Sequence, residues 1–427
     1  MISVLNLRRL LSGNNLFVVL LFLVLEGIAC SASRTGGYLP NKPGTNDTVP
    51  EIKIPEKVKQ EEEIKKQKHA DVPAFVNDFH VALFLPFYVN QEFAPGSRDY
   101  QVVESVSDYY QGVLLALDKL KRDGIIITLH VYDTRVDSME TVRLLSKPEM
   151  PSMDLIIGPL DQSCFLAASQ FSKTHEIPLI APFLMMDKDA LDNPFSFFCS
   201  PKLDAYGNHV ATHLLDQKKT GTILYLTDNS KTDKAFKRGF IEAQTDKKLK
   251  VTERLLAGEL NPKHLLVKGT DSLINYIVIP SDNEKLVNSA LRAFREAEDD
   301  GYVLQVIGLD SWLDFRDPEI EHWNKMHALI ATASSKTAGD TAYRDFYYAF
   351  RALHTIPPGD FAIKGYDQMM FFGKSLLAFG KHFPNYVLDT HFDGIGMDYY
   401  WNFSGKVVEN KSVRLIYFHQ YQFIPLK

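Results

Sequence analysis

Short apolar runs alternate with helically spaced apolar stripes along most of this chain. Residues 80–88, HVALFLPFY, have a buried-strand pattern. In 105–121, SVSDYYQGVLLALDKLK, one helical face collects Val106, Tyr109, Val113, Leu117 and Leu120. Gly112 inside that helix predicts a close approach to the neighbouring strand. IIITLHVYD (125–133) reads as the next strand and TVRLLSK (141–147) as a helix. DLIIGPLDQS (154–163) then precedes CFLAASQFSKTHE (164–176), with Phe165, Ala168 and Phe171 at helical spacing, and IPLIAPF (177–183) follows. That order predicts a strand, a crossover helix and a second strand parallel to the first. Ligands of such sheets sit beyond the carboxyl ends of the strands, so 158–163 and 181–183 are candidate pocket loops.

A second series repeats the alternation. FSFFCSP (195–201) leads into a helix at 206–217, a strand at 221–228, a helix at 234–245 and a strand at 274–281. A helix at 284–297 and strands at 303–312 and 328–334 follow, then helices at 341–354 and 365–383. The end, 397–425, alternates like antiparallel strands around a Ser404-Gly405 turn. Two successive α/β series with a shared tail predict two similar doubly wound lobes with a cleft between them.

The first 29 residues change the picture of where the chain works. Arg8 and Arg9 precede a ten-residue apolar run, LFVVLLFLVL, and small residues follow it, which predicts an export signal over 1–29. Cys30 follows Gly-Ile-Ala, a lipobox-like context with Gly27 where Leu is usual. Lipid attachment at Cys30 is the first expectation, and plain cleavage between 29 and 32 is the alternative. Residues 30–77 carry five prolines and the charged run KVKQEEEIKKQK (57–68), the composition of an extended tether. The formal net charge of −6, with Lys and Arg spread evenly, argues against a nucleic-acid partner. Cys164 and Cys199 make no disulfide framework and are expected to be free, buried thiols.

Taken in order, the segments YYQGVLLALDKL, DLIIGPLDQS, IPLIAPF, VIGLDSW, GYDQMMFFGKSLLAFG and FDGIGMDYYWNFSGKVV resemble type I periplasmic binding proteins. These are the branched-chain amino acid substrate-binding proteins of ABC transporters, related to the ligand-binding region of some receptors. The resemblance covers 80–427 and extends to the envelope lipoprotein variants of Bacteroidota-type bacteria. It implies an α/β fold of two Rossmann-like lobes with parallel sheets joined by three crossovers, with no enzymatic activity and no cofactor. Lobe one would be 79–200 plus 338–395, and lobe two 201–337 plus 396–427. The implied function is solute binding in the cell envelope, with the ligand held between the two lobes and an ABC permease or another envelope protein as partner. The alternative is a lipoprotein that uses the fold as a protein-interaction scaffold, for instance in cell-wall synthesis. Either way the protein would be exported, periplasmic or anchored at the outer membrane.

By the same resemblance, the turns after the Ile-Gly-Pro strand and the next strand hold a ligand carboxylate. Gln162 and Ser163 would donate from the first turn, and Ala181, Phe183 and Met185 would line the second. Asp310 would face a ligand ammonium. Asp161 brings negative charge to the carboxylate position, and bulky apolar groups replace the hydroxyls of the second turn, which speaks against a free amino acid. A small zwitterion, a larger or more apolar ligand such as a peptide or glycan fragment, and a scaffold with no small ligand all stay open. Phe183 and Leu184 read equally well as core packing. His209 and His213 have metal-ligand spacing but no third ligand, and Gly373-Lys374-Ser375 lacks the glycine of a phosphate loop. No metal or nucleotide is expected at either place.

Overall fold

A computed structural model describes residues 78–184, 186, 191–218, 220–245, 247–268, 273–334 and 341–426. The export signal, the tether, Cys30 and Met185 lie outside them. The first series begins with β1 (Asp78–Leu85), α1 (Arg98–Arg122), β2 (Ile126–Asp133) and α2 (Ser138–Leu145). It continues with β3 (Leu155–Ile157), α3 (Gln162–His175), β4 (Leu179–Ala181) and β5 (Ser196–Phe198). The second comprises α4 (Leu203–Leu215), β6 (Thr220–Thr227), α5 (Lys231–Glu242), β7 (Val251–Leu255), α6 (Pro262–Leu265), β8 (Ile274–Val278), α7 (Glu284–Asp299), β9 (Val303–Leu309), α8 (Ile320–Lys325) and β10 (Leu329–Thr332). Then come α9 (Thr341–His354), α10 (Asp360–Phe379), β11 (His391–Phe392), β12 (Tyr399–Phe403), β13 (Val408–Asn410), β14 (Arg414–His419) and β15 (Gln422–Pro425).

The strands form two sheets. One has the order β11-β12-β13-β5-β4-β3-β1-β2, the other β15-β14-β10-β9-β8-β6-β7. β3 and β4 pair in parallel through Ile156–Leu179 and Ile157–Ile180, with α3 as their crossover. Side chains alternate as the pleat requires: Val81, Leu83 and Leu85 of β1 pack with α1 and α10, while Ala82 and Phe84 pack with α2 and α3. The second sheet divides likewise, Leu224 and Leu226 joining α7 and Ile223 and Tyr225 joining α4 and α5. These are two lobes built on mixed sheets, parallel through the centre and antiparallel at the edge formed by the tail strands, each covered by helices on both faces. Cys164 and Cys199 are free and buried.

The chain passes between the sheets three times, after β5, after β10 and after β13. The last passage departs from the expected division, which gave all of 396–427 to lobe two. β12 and β13 complete the first sheet, where Val408 pairs with Phe197 and Trp401 stacks in an aromatic core with Phe197, Phe371 and Tyr399. Burying that indole places residues 399–410 in lobe one, and only β14 and β15 extend lobe two. Gly112 also differs from expectation. A Cβ there would lie 1.9 Å from the Ala362 carbonyl oxygen, so the close neighbour is the backbone of α10 rather than a strand.

Candidate functional site

The carboxyl ends of β1, β3 and β4 open on one face of lobe one, bordered by the amino end of α1 and by α10. A cavity of about 410 Å³ lies there. Its apolar wall includes Val102, Val106, Leu160, Phe183, Leu184 and Phe361. Arg98, Gln101, Ser105 and Asp161 supply the polar groups, and every lining residue belongs to lobe one.

Local geometry explains each border. Ser97 caps α1 by accepting from the Tyr100 amide, which starts the helix two turns earlier than its apolar stripe suggested. Those two turns carry Arg98, Gln101 and Val102. Asp133, at the end of β2, accepts from the amides of Phe87, Tyr88 and Val89 at 2.9–3.1 Å and so fixes the turn after β1. Gly158 has φ +83°, and a Cβ there would meet the Phe84 carbonyl oxygen at 2.0 Å; only glycine carries the chain through this turn. The peptide between Gly158 and Pro159 is cis.

The turn after β3 is already satisfied by its own residues. The Asp161 carboxylate accepts from the Ser163 amide at 2.9 Å, the Cys164 amide at 3.3 Å and the Ser163 hydroxyl at 2.5 Å. It is the N-cap of α3, and it occupies the position at a helix amino end where a ligand carboxylate would gain most. Burial pushes the Asp161 carboxyl up, but the Ser163 and Cys164 donors together hold it below its usual value. Gln162 and Ser163 are exposed, and neither lines the cavity.

The turn after β4 has the opposite character. Ala181 is buried in the sheet, whereas Phe183 and Leu184 are half-buried and form part of the wall. The Phe183 ring packs 5.6 Å from Tyr109 and 4.9 Å from Phe361. Phe183 therefore packs against the core and also lines the cavity.

In lobe two, Asp310 follows β9 as expected, but Tyr206 of α4 donates to it at 2.7 Å. Burial raises the Asp310 carboxyl above its usual value, opposed by hydrogen bonds from Tyr206, the Ala333 and Ser311 amides and Thr332. Asp310 is not part of the cavity wall. His209 and His213 share α4, and burial lowers the pKa of each. The cavity residues that sequence reasoning missed include Arg98, Gln101, Val102, Val136 and Phe361. A signal for the first three was present in Gly96-Ser97, a turn followed by a helix-capping serine.

No family model and no curated relative matches the chain. Solved structures do share its architecture. It is similar to a protein described as a branched-chain amino acid ABC transporter from Rhodospirillum rubrum, with TM-score 0.59 and 14% identity over 82% of this chain and 100% of that one. A branched-chain amino acid ABC-type transporter protein of Rhodopseudomonas palustris matches with TM-score 0.55 and 13% identity, over 82% and 96%. An ABC transporter substrate-binding protein of Desulfitobacterium hafniense, solved with Leu, matches with TM-score 0.50 and 14% identity, over 82% and 100%. At such identities the likeness is one of fold: two α/β lobes of the type I periplasmic binding class.

Proposed function

We propose that the chain is a solute-binding protein of the cell envelope whose ligand rests on the lobe-one cavity and is larger or more apolar than a free amino acid. The observation that carries this reading is the contrast at the strand ends. The Ser163 hydroxyl, a donor expected for a ligand carboxylate, is engaged by Asp161, and Asp310, the expected ammonium partner in lobe two, is engaged by Tyr206, while apolar residues of lobe one line a cavity. A cavity of 410 Å³ lies within the usual size range of small-molecule sites, roughly 300–1,000 Å³. The reading extends to export, attachment through Cys30, and an ABC permease or sensory partner, as the resemblance implies.

The second reading, a protein-interaction scaffold with no small ligand, draws on the same engaged anchors. A thermal-unfolding screen separates the two. Branched and aromatic carboxylates, short peptides and muropeptides are the probes, with free leucine as the contrast. A true ligand at a hundred times its Kd stabilises by about 2.7 kcal/mol, a shift of a few degrees. Val102→Asp, which puts a charge on the apolar wall, should abolish the shift. A screen with no shift for any probe would favour the scaffold.

A further inference from the structure

The helix that closes the cavity also holds the segment to which the three crossovers are tied. Gln368 of α10 is fully buried. Its Nε2 donates to the Pro182 carbonyl at 2.9 Å, and its Oε1 accepts from the Tyr109 hydroxyl at 2.7 Å. Pro182 belongs to the turn after β4, so Gln368 sets the position of Phe183 on the cavity wall. Two turns earlier, Phe361 of the same helix touches that ring. Asp108 of α1 accepts from the Ala362 amide at 2.8 Å, which ties the amino end of α10 to the helix on the other side of the cavity.

The neighbouring residue, Asp367, points about 100° away around the helix and meets a different segment. Its carboxylate accepts from the amides of Ile395, Gly396 and Met397 at 2.8, 2.8 and 3.0 Å. Residues 394–398 form a strap whose other side faces lobe two. Met397 makes a bridge with Ser334, just after β10, on the second crossover. Asp398 pairs with Arg414, at the start of β14 after the third crossover. The Asn410 amide completes the junction. It donates to the carbonyls of Asp398 and of Cys199, on the first crossover, at 3.0 and 2.9 Å. It also accepts from the Tyr400 and Ser412 amides at 3.0 and 2.9 Å, so its hydrogen-bonding capacity is filled.

We infer that Asp367 and Gln368 are positioning residues that couple the lobe-one cavity to the crossovers, Gln368 by fixing the β4 turn and Asp367 by fixing the 394–398 strap. Both anchors are consecutive residues of one rigid, buried helix. A displacement of the β4 turn therefore shifts or rotates α10 and loads the strap, and a change at the crossovers reaches the cavity wall by the same route. Calling this wall a ligand site rests on the proposed function; the mechanical coupling does not.

Amide hydrogen exchange on the ligand-free, full-length protein tests the coupling directly. Gln368→Met should accelerate exchange on the order of tenfold at Phe183 and Leu184 and also at Ile395, Gly396 and Met397, which Gln368 does not touch. Asp367→Asn should do the same in reverse. Effects confined to each residue's own partners would overturn the coupling. Should either variant not fold, Arg414→Gln decides from the periphery. It should loosen Phe183 and Leu184 through the strap, and Arg414→Lys, which keeps the charge opposite Asp398, should restore them. No change at Phe183 and Leu184 in Arg414→Gln would equally overturn the inference. Since no ligand is present, a negative result leaves the cavity reading standing, and a failed ligand screen leaves the coupling standing.

Discussion

The turns after β3 and β4 lie on adjacent parallel strands, yet they have come to opposite ends. The first turns its polar groups on itself, Asp161 capping α3 and holding the Ser163 hydroxyl, while Gln162 stays exposed. The second carries no polar side chain and lends Phe183 and Leu184 to a cavity. A helix amino end holds one anion well, and here the chain supplies its own. A polar turn at a strand end therefore signals a ligand only when its donors are not already engaged. The same test applied to lobe two finds Asp310 engaged by Tyr206.

The largest expected effect contrasts two carboxylates. Asp367 is buried, and despite three amide donors its pKa is raised to about 7 by burial. Its folded-state value lies above the unfolded one, so this group favours the folded state most below pH 4, and the advantage declines as pH rises towards 7. The swing is up to about 4 kcal/mol. Asp161, with its value lowered, contributes above pH 4 and loses that contribution as pH falls through its folded value. Chemical denaturation from pH 4 to 8 should show the Asp367 slope, and Asp367→Asn should flatten it.

Next in size, Phe183→Ala removes ring contacts with Tyr109 and Phe361 at a half-buried site and should cost about 2 kcal/mol in urea unfolding. It should also widen the cavity, so that bulkier probes give larger thermal shifts than with wild type. Tyr206→Phe leaves the Asp310 carboxylate short of a donor in a partly buried place, a loss of about 1 kcal/mol. The smallest effect is the most instructive. Asp161→Ala should cost about 1 kcal/mol as a lost N-cap while freeing the Ser163 and Cys164 amides. Sulfate or a simple carboxylate should then stabilise the variant more than wild type. Equal responses would show that the cap does not block an anion site.

The fold was largely legible because its signals are local. The strand–helix–strand pattern of 154–183 needs only apolar spacing, and it appears as β3, α3 and β4 in parallel. The tail was misassigned because β12 and β13 read as an antiparallel pair, which they are, while their lobe depends on Val408 meeting Phe197 some two hundred residues earlier. Spacing cannot report such a pairing. The cavity was half legible. Phe183 and the two turns were found from strand ends, but Val102 and Phe361 line it only because α1 and α10 cross closely at Gly112. That Asp161 brings negative charge to the carboxylate position was legible in the sequence, whereas the donors that engage it are visible only in three dimensions.

The central claim is that the apolar lobe-one wall, rather than the polar turn beside it, receives the ligand. Methyl and amide NMR titration tests it with one labelled sample. An apolar acid or peptide selected by thermal shift should move the methyl signals of Val102, Val106, Val136, Leu160 and Leu184 saturably, while free leucine leaves them in place. Saturable binding of free leucine that moves the Ser163 and Asp310 amides would contradict the account.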